Sequence, residues 1–363
     1  MKRERICNIC ITSTGPLGES SMRRSSNTGL TRRRPVFGEG TDTTNPYLFV
    51  VGCPRSGTTL LMRMLNAHRE IAMIPEIAWI PSRYEKRECL TAEGIVTPAF
   101  IDMLKNHVWG FGRFTPLPVG IGELEELVSS SRPVPYAEFV TFLFDRYGMA
   151  RGRKIVGNKT PEYVLSLRTL HKLWPGAKFI HIIRDGRDVC LSLVNWKRMA
   201  EKFSQRFPTW SADPVTTAAL YWEEFVRAGR EAGRSLPASL YHEVRYEPFV
   251  TSPAEHCKSI CEFLGVVYDE AMLRFNEGRM NPDPSLDAKH AWLPPTPGLR
   301  EWQKQMPPEN LQRFEAAAGS LLDELRYPRS VDDPTLDRLE HAAEVRRIFK
   351  ETPHPWPWPR GQE

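Results

Sequence analysis

The chain has 363 residues, with 49 Lys and Arg against 44 Asp and Glu, a net charge of +5 and 41% hydrophobic residues. That length can bury the core of one large α/β domain or two small ones, and so small a charge excess argues against wholesale nucleic-acid binding and for an anionic ligand in a local basic site. No stretch reaches the roughly 20 apolar residues of a membrane-spanning helix, and the basic N-terminus lacks the apolar segment of a signal peptide.

Residues 1–44 are rich in Arg, Ser, Thr and Gly, carry Arg23-Arg24 and Arg32-Arg33-Arg34, and lack apolar periodicity, so they are expected to be a disordered basic tail. Cys7 and Cys10 have metal-pair spacing, but no second Cys/His pair lies near them and no metal site is expected. The seven cysteines are scattered and odd in number, which points to a reducing compartment and a cytoplasmic protein. From Pro46 onward apolar runs alternate with helical stretches, the pattern of a parallel sheet covered by helices.

Residues 47–51 read as a buried strand, and Leu60, Leu61, Met64 and Leu65 as the core face of a first helix. Residues 75–150 read as a helical insertion on the acceptor side, with helices near 96–106, 122–129 and 136–147. Residues 154–157 and 178–183 give a second and a third strand, the latter after a Trp174-Pro175-Gly176 turn. A helix from about Gly186 faces the sheet with Val189, Leu193 and Val194. A helix over 214–230, a fourth strand over 239–244 and a helix over 252–264 follow; Cys257 and Cys261 read as small core residues of that last helix. Residues 281–298 are Pro-rich and irregular, 308–325 helical. One domain is expected over 45–330, then a C-terminal helix and a Pro/Trp-rich tail over 331–363.

Two segments carry anion-binding chemistry. Gly52, Cys53, Pro54, Arg55, Ser56, Gly57, Thr58 and Thr59 link the first strand to the first helix, where inward N–H groups and the helix terminus make a phosphate cradle. The spacing is that of a Walker loop, but Thr58 stands where an ATPase carries Lys, and the loop cation is Arg55. Thr58 and Thr59 could add donors or simply cap the helix. In the second segment Arg184 closes an apolar strand and Ser192 follows eight residues later. A guanidinium fork and a hydroxyl at the carboxyl end of a strand suit a phosphate monoester. Alternatively, Arg184, Asp185, Arg187 and Asp188 only pair with one another around a helix start.

These segments together resemble the signature of sulfotransferases that use 3′-phosphoadenosine 5′-phosphosulfate. Arg55 to Leu60, Ala67-His68, Pro75-Glu76, Asn158-Lys159-Thr160-Pro161 and Arg184-Asp185-Gly186-Arg187 are similar, in order, to landmarks of the tyrosylprotein sulfotransferase branch and its bacterial relatives. Val244 to Pro248 and Cys261 to Gly265 resemble its later landmarks. The likeness covers roughly residues 46–328.

The resemblance implies a P-loop-like three-layer α/β fold, with a central, mainly parallel sheet flanked by helices plus the helical insertion. It implies that donor as co-substrate, with no metal. Arg55, Ser56, Gly57, Thr58 and Thr59 would hold its 5′-phosphosulfate, and Arg184 and Ser192 its 3′-phosphate. Tyr246 would close over the nucleotide or pack at a strand end, and Arg300 would reach the nucleotide from a loop anchored by Trp302. Glu301 falls where the branch has a basic residue. Glu76 would be the general base, with Arg55 and Lys159 stabilising the moving sulfuryl group, in line with a transfer that consists mostly of positioning and charge stabilisation. Small-molecule sulfotransferases use a His instead, so His68, His107 and His181 are compared; the motif favours Glu76. The acceptor is expected to be a hydroxyl, or an amine, on a small molecule, lipid or glycan. Nothing resembles the acidic-peptide groove of the animal enzymes. Trp79, Trp109, Phe111, Phe114 and Trp196 could line an acceptor pocket or belong to the core. No specific nucleic acid or membrane span is expected, and oligomeric state stays open, a homodimer included. The rival readings are an atypical nucleotide kinase or NTPase, and a non-catalytic nucleotide-binding protein.

Overall fold

The computed structural model describes residues 47–107, 119–277, 293–298, 301–330 and 333–352. Strands β1 (Leu48–Gly52), β2 (Ile71–Ile74), β3 (Ile155–Lys159), β4 (Lys178–Ile183) and β5 (Tyr241–Arg245) pair in parallel in the order β2-β3-β1-β4-β5. Successive strand residues face opposite sides. Phe49 and Val51 therefore join one core with Ala72, Ile74, Val156 and Phe179, whereas Leu48 and Val50 join another with Ile71, Met73, Ile180 and Val244. A sheet buried on both faces must be covered twice, which gives the three layers.

Helix α1 (Thr58–Ala67) covers the second core, burying Leu60, Leu61, Met64 and Leu65 as its periodicity requires. The insertion holds α2 (Ile80–Lys86), α3 (Pro98–His107), α4 (Ile121–Val128) and α5 (Tyr136–Met149), close to the expected helices. A 3-10 turn (Pro161–Ser166) and α6 (Leu167–Leu173) lead from β3 to β4. Between β4 and β5 run α7 (Gly186–Val194), α8 (Lys197–Arg206), α9 (Pro208–Ala212) and the long α10 (Pro214–Arg234). After β5 come α11 (Tyr246–Thr251), α12 (Pro253–Leu264), α13 (Trp302–Gln305), α14 (Pro308–Glu324) and α15 (Leu336–Glu351). The last helix buries Ala342, Val345 and Phe349, whose ring stacks on Phe207 at 5.3 Å. Cys257 and Cys261 are buried in α12.

Several expectations need correction. The reading had no strand at 71–74; β2 is only four residues long and starts three residues after α1, too short for a periodic signal. The strand expected over 154–157 runs on to Lys159, so Asn158 and Lys159 belong to the strand and Lys159 pairs with Val50. The helix expected over 252–264 starts at Pro253, and a separate α11 precedes it, because proline has no N–H to continue a helix. The expected basic tail, Cys7, Cys10 and the tail after Thr352 lie outside the described residues.

The chain leaves β1 towards β2 and β3 on one side and leaves β4 towards β5 on the other. Loops departing in opposite directions open a crevice at the carboxyl ends of β1 and β4, which is where open α/β sheets bind ligands.

Candidate active site

At the end of β1 the backbone turns through unusual conformations. Gly52 has φ 151°, Arg55 76° and Gly57 97°. Gly57 precedes α1, and a Cβ there would lie 2.5 Å from the Tyr246 ring in a left-handed conformation, so only glycine fits. Arg55 adopts a positive φ without being glycine, a strained state of the kind concentrated at ligand clamps. Ser56 N donates to Cys53 O at 3.1 Å, closing the turn. The Ser56 side chain is fully buried and its Oγ has no hydrogen-bond partner among the described residues. Thr58 is buried and Thr59 half-buried in the first turn of α1, and no side chain caps that helix. The first N–H groups of a helix have no partner within it, and the positive end of the helix dipole lies behind them.

Arg55 reaches across the crevice to α7. Its Nε donates to Ser192 Oγ at 2.9 Å, and its guanidinium lies 4.6 Å from the centre of the Trp196 ring. The loop cation and the helix hydroxyl, read from separate motifs, are thus one hydrogen-bonded unit.

Pairing within the Arg184 segment is complete for Arg187 and partial for Arg184. Arg187 is structural: Nε and Nη2 take both carboxylate oxygens of Asp185 at 3.0 and 2.8 Å, Nη1 donates to Glu315 at 2.9 Å, and the plane covers Trp302 at 3.5 Å. Asp185 also caps α7, accepting from Arg187 N at 2.9 Å. Arg184 is only partly committed. Its Nη2 donates to Asp188 Oδ2 at 3.1 Å and its guanidinium covers the Tyr246 ring at 4.3 Å, while its buried Nε has no hydrogen-bond partner among the described residues. Burial pushes the Asp188 carboxyl up to about 6, against the pull of Arg184. Its Oδ1 accepts the Trp302 N–H at 3.0 Å, which fixes Trp302 where the sequence put an anchor. Arg300 lies outside the described residues.

A doubly anionic nucleotide fits these residues. Ser56 Oγ in one motif and Arg184 Nε in the other are buried donors without partners among the described residues, a costly condition that a bound phosphate would relieve. Among the described residues no group of three or more His, Cys, Asp or Glu could hold a metal ion.

The third part of the site hangs on β3. The Lys159 side chain is 2% exposed and ion-pairs with Glu76, whose carboxylate stands in the crevice at 54% exposure. The neighbours of Lys159 hold the segment carrying Glu76. Asn158 Nδ2 donates to Pro75 O at 3.0 Å; Thr160 Oγ1 accepts the Ile77 N–H at 3.1 Å and donates to Asn158 Oδ1 at 2.9 Å. Tyr163 continues the clamp with its hydroxyl between Ile77 O and the Ile80 N–H. Asn158 and Thr160 were read only as motif landmarks; their polarity at a buried strand end was the signal that they clamp something.

The compared histidines are structural where their side chains are described. Buried His68 accepts the Glu70 N–H on Nδ1 at 3.0 Å, so its Nε2–H donates to Val267 O at 2.9 Å. His181 pairs through Nδ1 with Tyr241 OH at 2.7 Å, and burial aided by Arg230 drives its pKa down to about 3. The His107 side chain is outside the described residues, as are Trp109, Phe111 and Phe114. Trp79 packs on Phe100 at 5.6 Å and Tyr136 at 6.4 Å, inside the core of the insertion.

A glycine-containing loop at the switch point, the Arg55–Ser192 pair and the Lys159–Glu76 couple stand together on a P-loop-like three-layer α/β fold. The sequence profile of the sulfotransferase family matches residues 46–270, and the chain belongs to that family. Its activity is therefore transfer of a sulfuryl group from 3′-phosphoadenosine 5′-phosphosulfate. Protein-tyrosine sulfotransferase A of Caenorhabditis elegans is 24% identical over 249 residues, 66% of this chain and 55% of its own length. The chain thus spans about half of that relative. Nodulation protein NoeE of Sinorhizobium fredii is 26% identical over 335 residues, 83% of this chain and 72% of its own. The sulfotransferase domain of the Synechococcus PCC 7002 olefin synthase superposes with a TM-score of 0.49 at 21% identity, covering 83% of this chain and 94% of its own. No helix among the described residues is long and apolar enough to cross a membrane.

Proposed function

We propose that Glu76 is the general base of sulfuryl transfer to a hydroxyl acceptor, with Lys159 and Arg55 as the cations of the transition state and Arg184 and Ser192 as the 3′-phosphate clamp. One observation carries this reading: a buried lysine at the carboxyl end of β3 holds an exposed carboxylate beside the loop that follows β1. The bound donor supplies the sulfuryl group and an adenosine bisphosphate leaving group. Glu76 takes the acceptor proton as the acceptor oxygen bonds to sulfur and the bond to the 5′-phosphate oxygen breaks. Lys159 holds Glu76 in place, and then faces the charge that gathers on the leaving oxygen; fixed cations of this kind need no reorganisation during transfer. Ser56, Gly57, Thr58 and Thr59 present loop and helix donors to the 5′ end, and Tyr246 covers the nucleotide beside Arg184.

The relatives' names include protein-tyrosine sulfotransferases, which supports a hydroxyl-bearing acceptor as the class. Cys53, Cys190, Cys257 and Cys261 are buried free thiols, which supports a reducing, cytoplasmic setting. The test is incubation with 35S-labelled donor and pooled hydroxylated acceptors: label moves to acceptor with the wild type and not with Glu76→Ala or Arg55→Ala. Transfer that survives both substitutions overturns the assignment.

A further inference from the structure

The peptide unit that joins Arg184 to Asp185 is held at both of its polar ends. Its carbonyl accepts the Trp222 Nε1–H of α10 at 3.1 Å, and its N–H donates to Glu247 Oε1 at 2.8 Å. On the other side of Arg184, β4 holds Ile183 opposite Arg245 of β5. A peptide is planar, so fixing its oxygen and its nitrogen also fixes the Cα from which the Arg184 side chain leaves.

Glu247 is itself held. It lies in the first turn of α11 beside Tyr246, whose ring stands 4.3 Å from the Arg184 guanidinium. Adjacent residues of one helical turn thus hold the root and the head of the same arginine. The second carboxylate oxygen of Glu247 accepts the Tyr327 hydroxyl at 2.9 Å, from 80 residues further along the chain. The way α14 stops puts Tyr327 there: Arg326 takes a left-handed φ of 59°, and Tyr327 N donates back to Leu322 O at 2.8 Å. The Arg245 guanidinium covers the Tyr327 ring at 4.2 Å, and its Nη1 donates to Leu325 O at 3.0 Å. Desolvation, then the Glu247 charge, pushes the Tyr327 phenol well above its ordinary value, so its O–H remains the donor.

Neither residue has a part in the proposed proton transfer or sulfuryl transfer. Resting on Arg184 as a reader of the 3′-phosphate, we propose that Glu247 and Tyr327 are positioning residues of that clamp, and that selectivity for a 3′-phosphorylated nucleotide depends on the segment that follows α14. A guanidinium fork meets a phosphate in a narrow geometry. A loosened root therefore weakens the bonds to the 3′-phosphate and leaves the other contacts of the nucleotide alone. Without Glu247 the Asp185 N–H loses its acceptor and one end of the peptide unit is released; without the Tyr327 hydroxyl the carboxylate keeps its place less firmly.

The test is calorimetric titration of the full chain with 3′-phosphoadenosine 5′-phosphate and with adenosine 5′-phosphate, below the melting temperature of every variant. Glu247→Ala should lower the preference for the 3′-phosphorylated nucleotide roughly tenfold and Tyr327→Phe roughly threefold, the effect of one or two lost hydrogen bonds. Glu247→Gln should restore most of it, because its amide oxygen still accepts from Asp185 N and its NH2 can donate to the Tyr327 oxygen. Affinity for adenosine 5′-phosphate should stay unchanged throughout. A preference that persists in Glu247→Ala and Tyr327→Phe while only the melting temperature falls overturns the positioning role, as does an equal loss for both nucleotides. Tyr327→Phe removes a single oxygen and keeps the measurement decisive if Glu247→Ala does not fold. Arg184→Ala separates the two readings. A preference lost there but kept in the Glu247 and Tyr327 variants leaves the clamp standing and overturns its positioning; a preference kept in Arg184→Ala overturns the clamp and the positioning role with it.

Discussion

Lys159 Nζ is ion-paired with the Glu76 carboxylate across 83 residues of chain, the lysine buried and the glutamate open to the crevice. The asymmetry assigns the work. The buried partner cannot reach solvent and acts as a fixed charge, whereas the exposed one can meet an acceptor. Asn158 and Thr160, on either side of the lysine, hold the backbone on either side of the glutamate. The couple is thus a rigid two-strand device.

Removing the carboxylate alone should stop proton transfer and leave the nucleotide site intact. Glu76→Gln is expected to lower kcat by about 10²- to 10⁴-fold, with the affinity for 3′-phosphoadenosine 5′-phosphate unchanged. Single-turnover 35S transfer and calorimetry check the two halves separately. A parallel loss of nucleotide affinity would make Glu76 a binding residue.

The Arg55–Ser192 bond ties the loop after β1 to helix α7. If Arg184 and Ser192 read the 3′-phosphate, Arg184→Ala and Ser192→Ala should erase most of the preference for 3′-phosphoadenosine 5′-phosphate over adenosine 5′-phosphate. The arginine should cost more, since charged hydrogen bonds contribute about 1.5–3 kcal/mol and neutral ones about 1 kcal/mol. Calorimetric titration with both nucleotides gives the ratio. An unchanged preference would move the 3′-phosphate elsewhere.

Gly57→Ala should abolish nucleotide binding, because the new Cβ meets Tyr246 at 2.5 Å and the backbone has φ 97°. Adding Tyr246→Ala makes room but leaves the backbone strain, so the double variant should recover binding only in part. Fluorescence titration of the three proteins against nucleotide reads the order.

Glu162 and His181 set opposite pH limits on stability. The Glu162 carboxyl is raised to about 8 by burial and then by Glu76, from an ordinary value of 4.5. Between those values the native chain holds the extra proton, so stability falls as pH rises from about 4.5 and the loss is complete above about 8. Glu162→Gln should therefore gain melting temperature over wild type as the buffer goes from about pH 5 to about pH 9. His181 runs the other way: its pKa falls from 6.5 to about 3, chiefly by burial. Its contribution is present above about 6.5 and is lost as pH falls towards about 3. His181→Gln, which cannot charge, should flatten the acid limb of a denaturation midpoint plotted against pH.

Trp302 is buried, covers Arg187 and donates its N–H to Asp188. Trp302→Ala should cost about 3–5 kcal/mol in urea unfolding and also weaken nucleotide binding, because Asp188 holds Arg184 through its other oxygen. Lost stability with unaltered nucleotide affinity would separate the anchor from the site.

The sequence made most of the sheet legible because each long strand is a continuous apolar run feeding a turn and a periodic helix. It concealed β2, whose four residues follow α1 too closely for any periodicity to register. Residues of the candidate site were legible where backbone geometry demands a residue type, as at Gly57, or where an arginine follows a strand, as at Arg184. The clamp of Asn158, Thr160 and Tyr163 on the Glu76 segment was not, because each looks locally like an ordinary polar or core residue.

By itself the sequence determined which chemistry the chain carries: a loop whose cation is Arg55, a second arginine followed by Ser192, and a glutamate and lysine in the order of the sulfotransferase family. Tertiary structure alone decided which of those residues touch. Parallel pairing of β1 with β3 and β4 brings residues more than 80 positions apart to one sheet edge, where Lys159 meets Glu76 and Arg55 meets Ser192. It also split two look-alike arginines, sending Arg187 into the core between Asp185, Glu315 and Trp302 and leaving Arg184 with an unspent donor. Burial and partners, rather than residue type, set those roles, and both arise only when distant segments pack together.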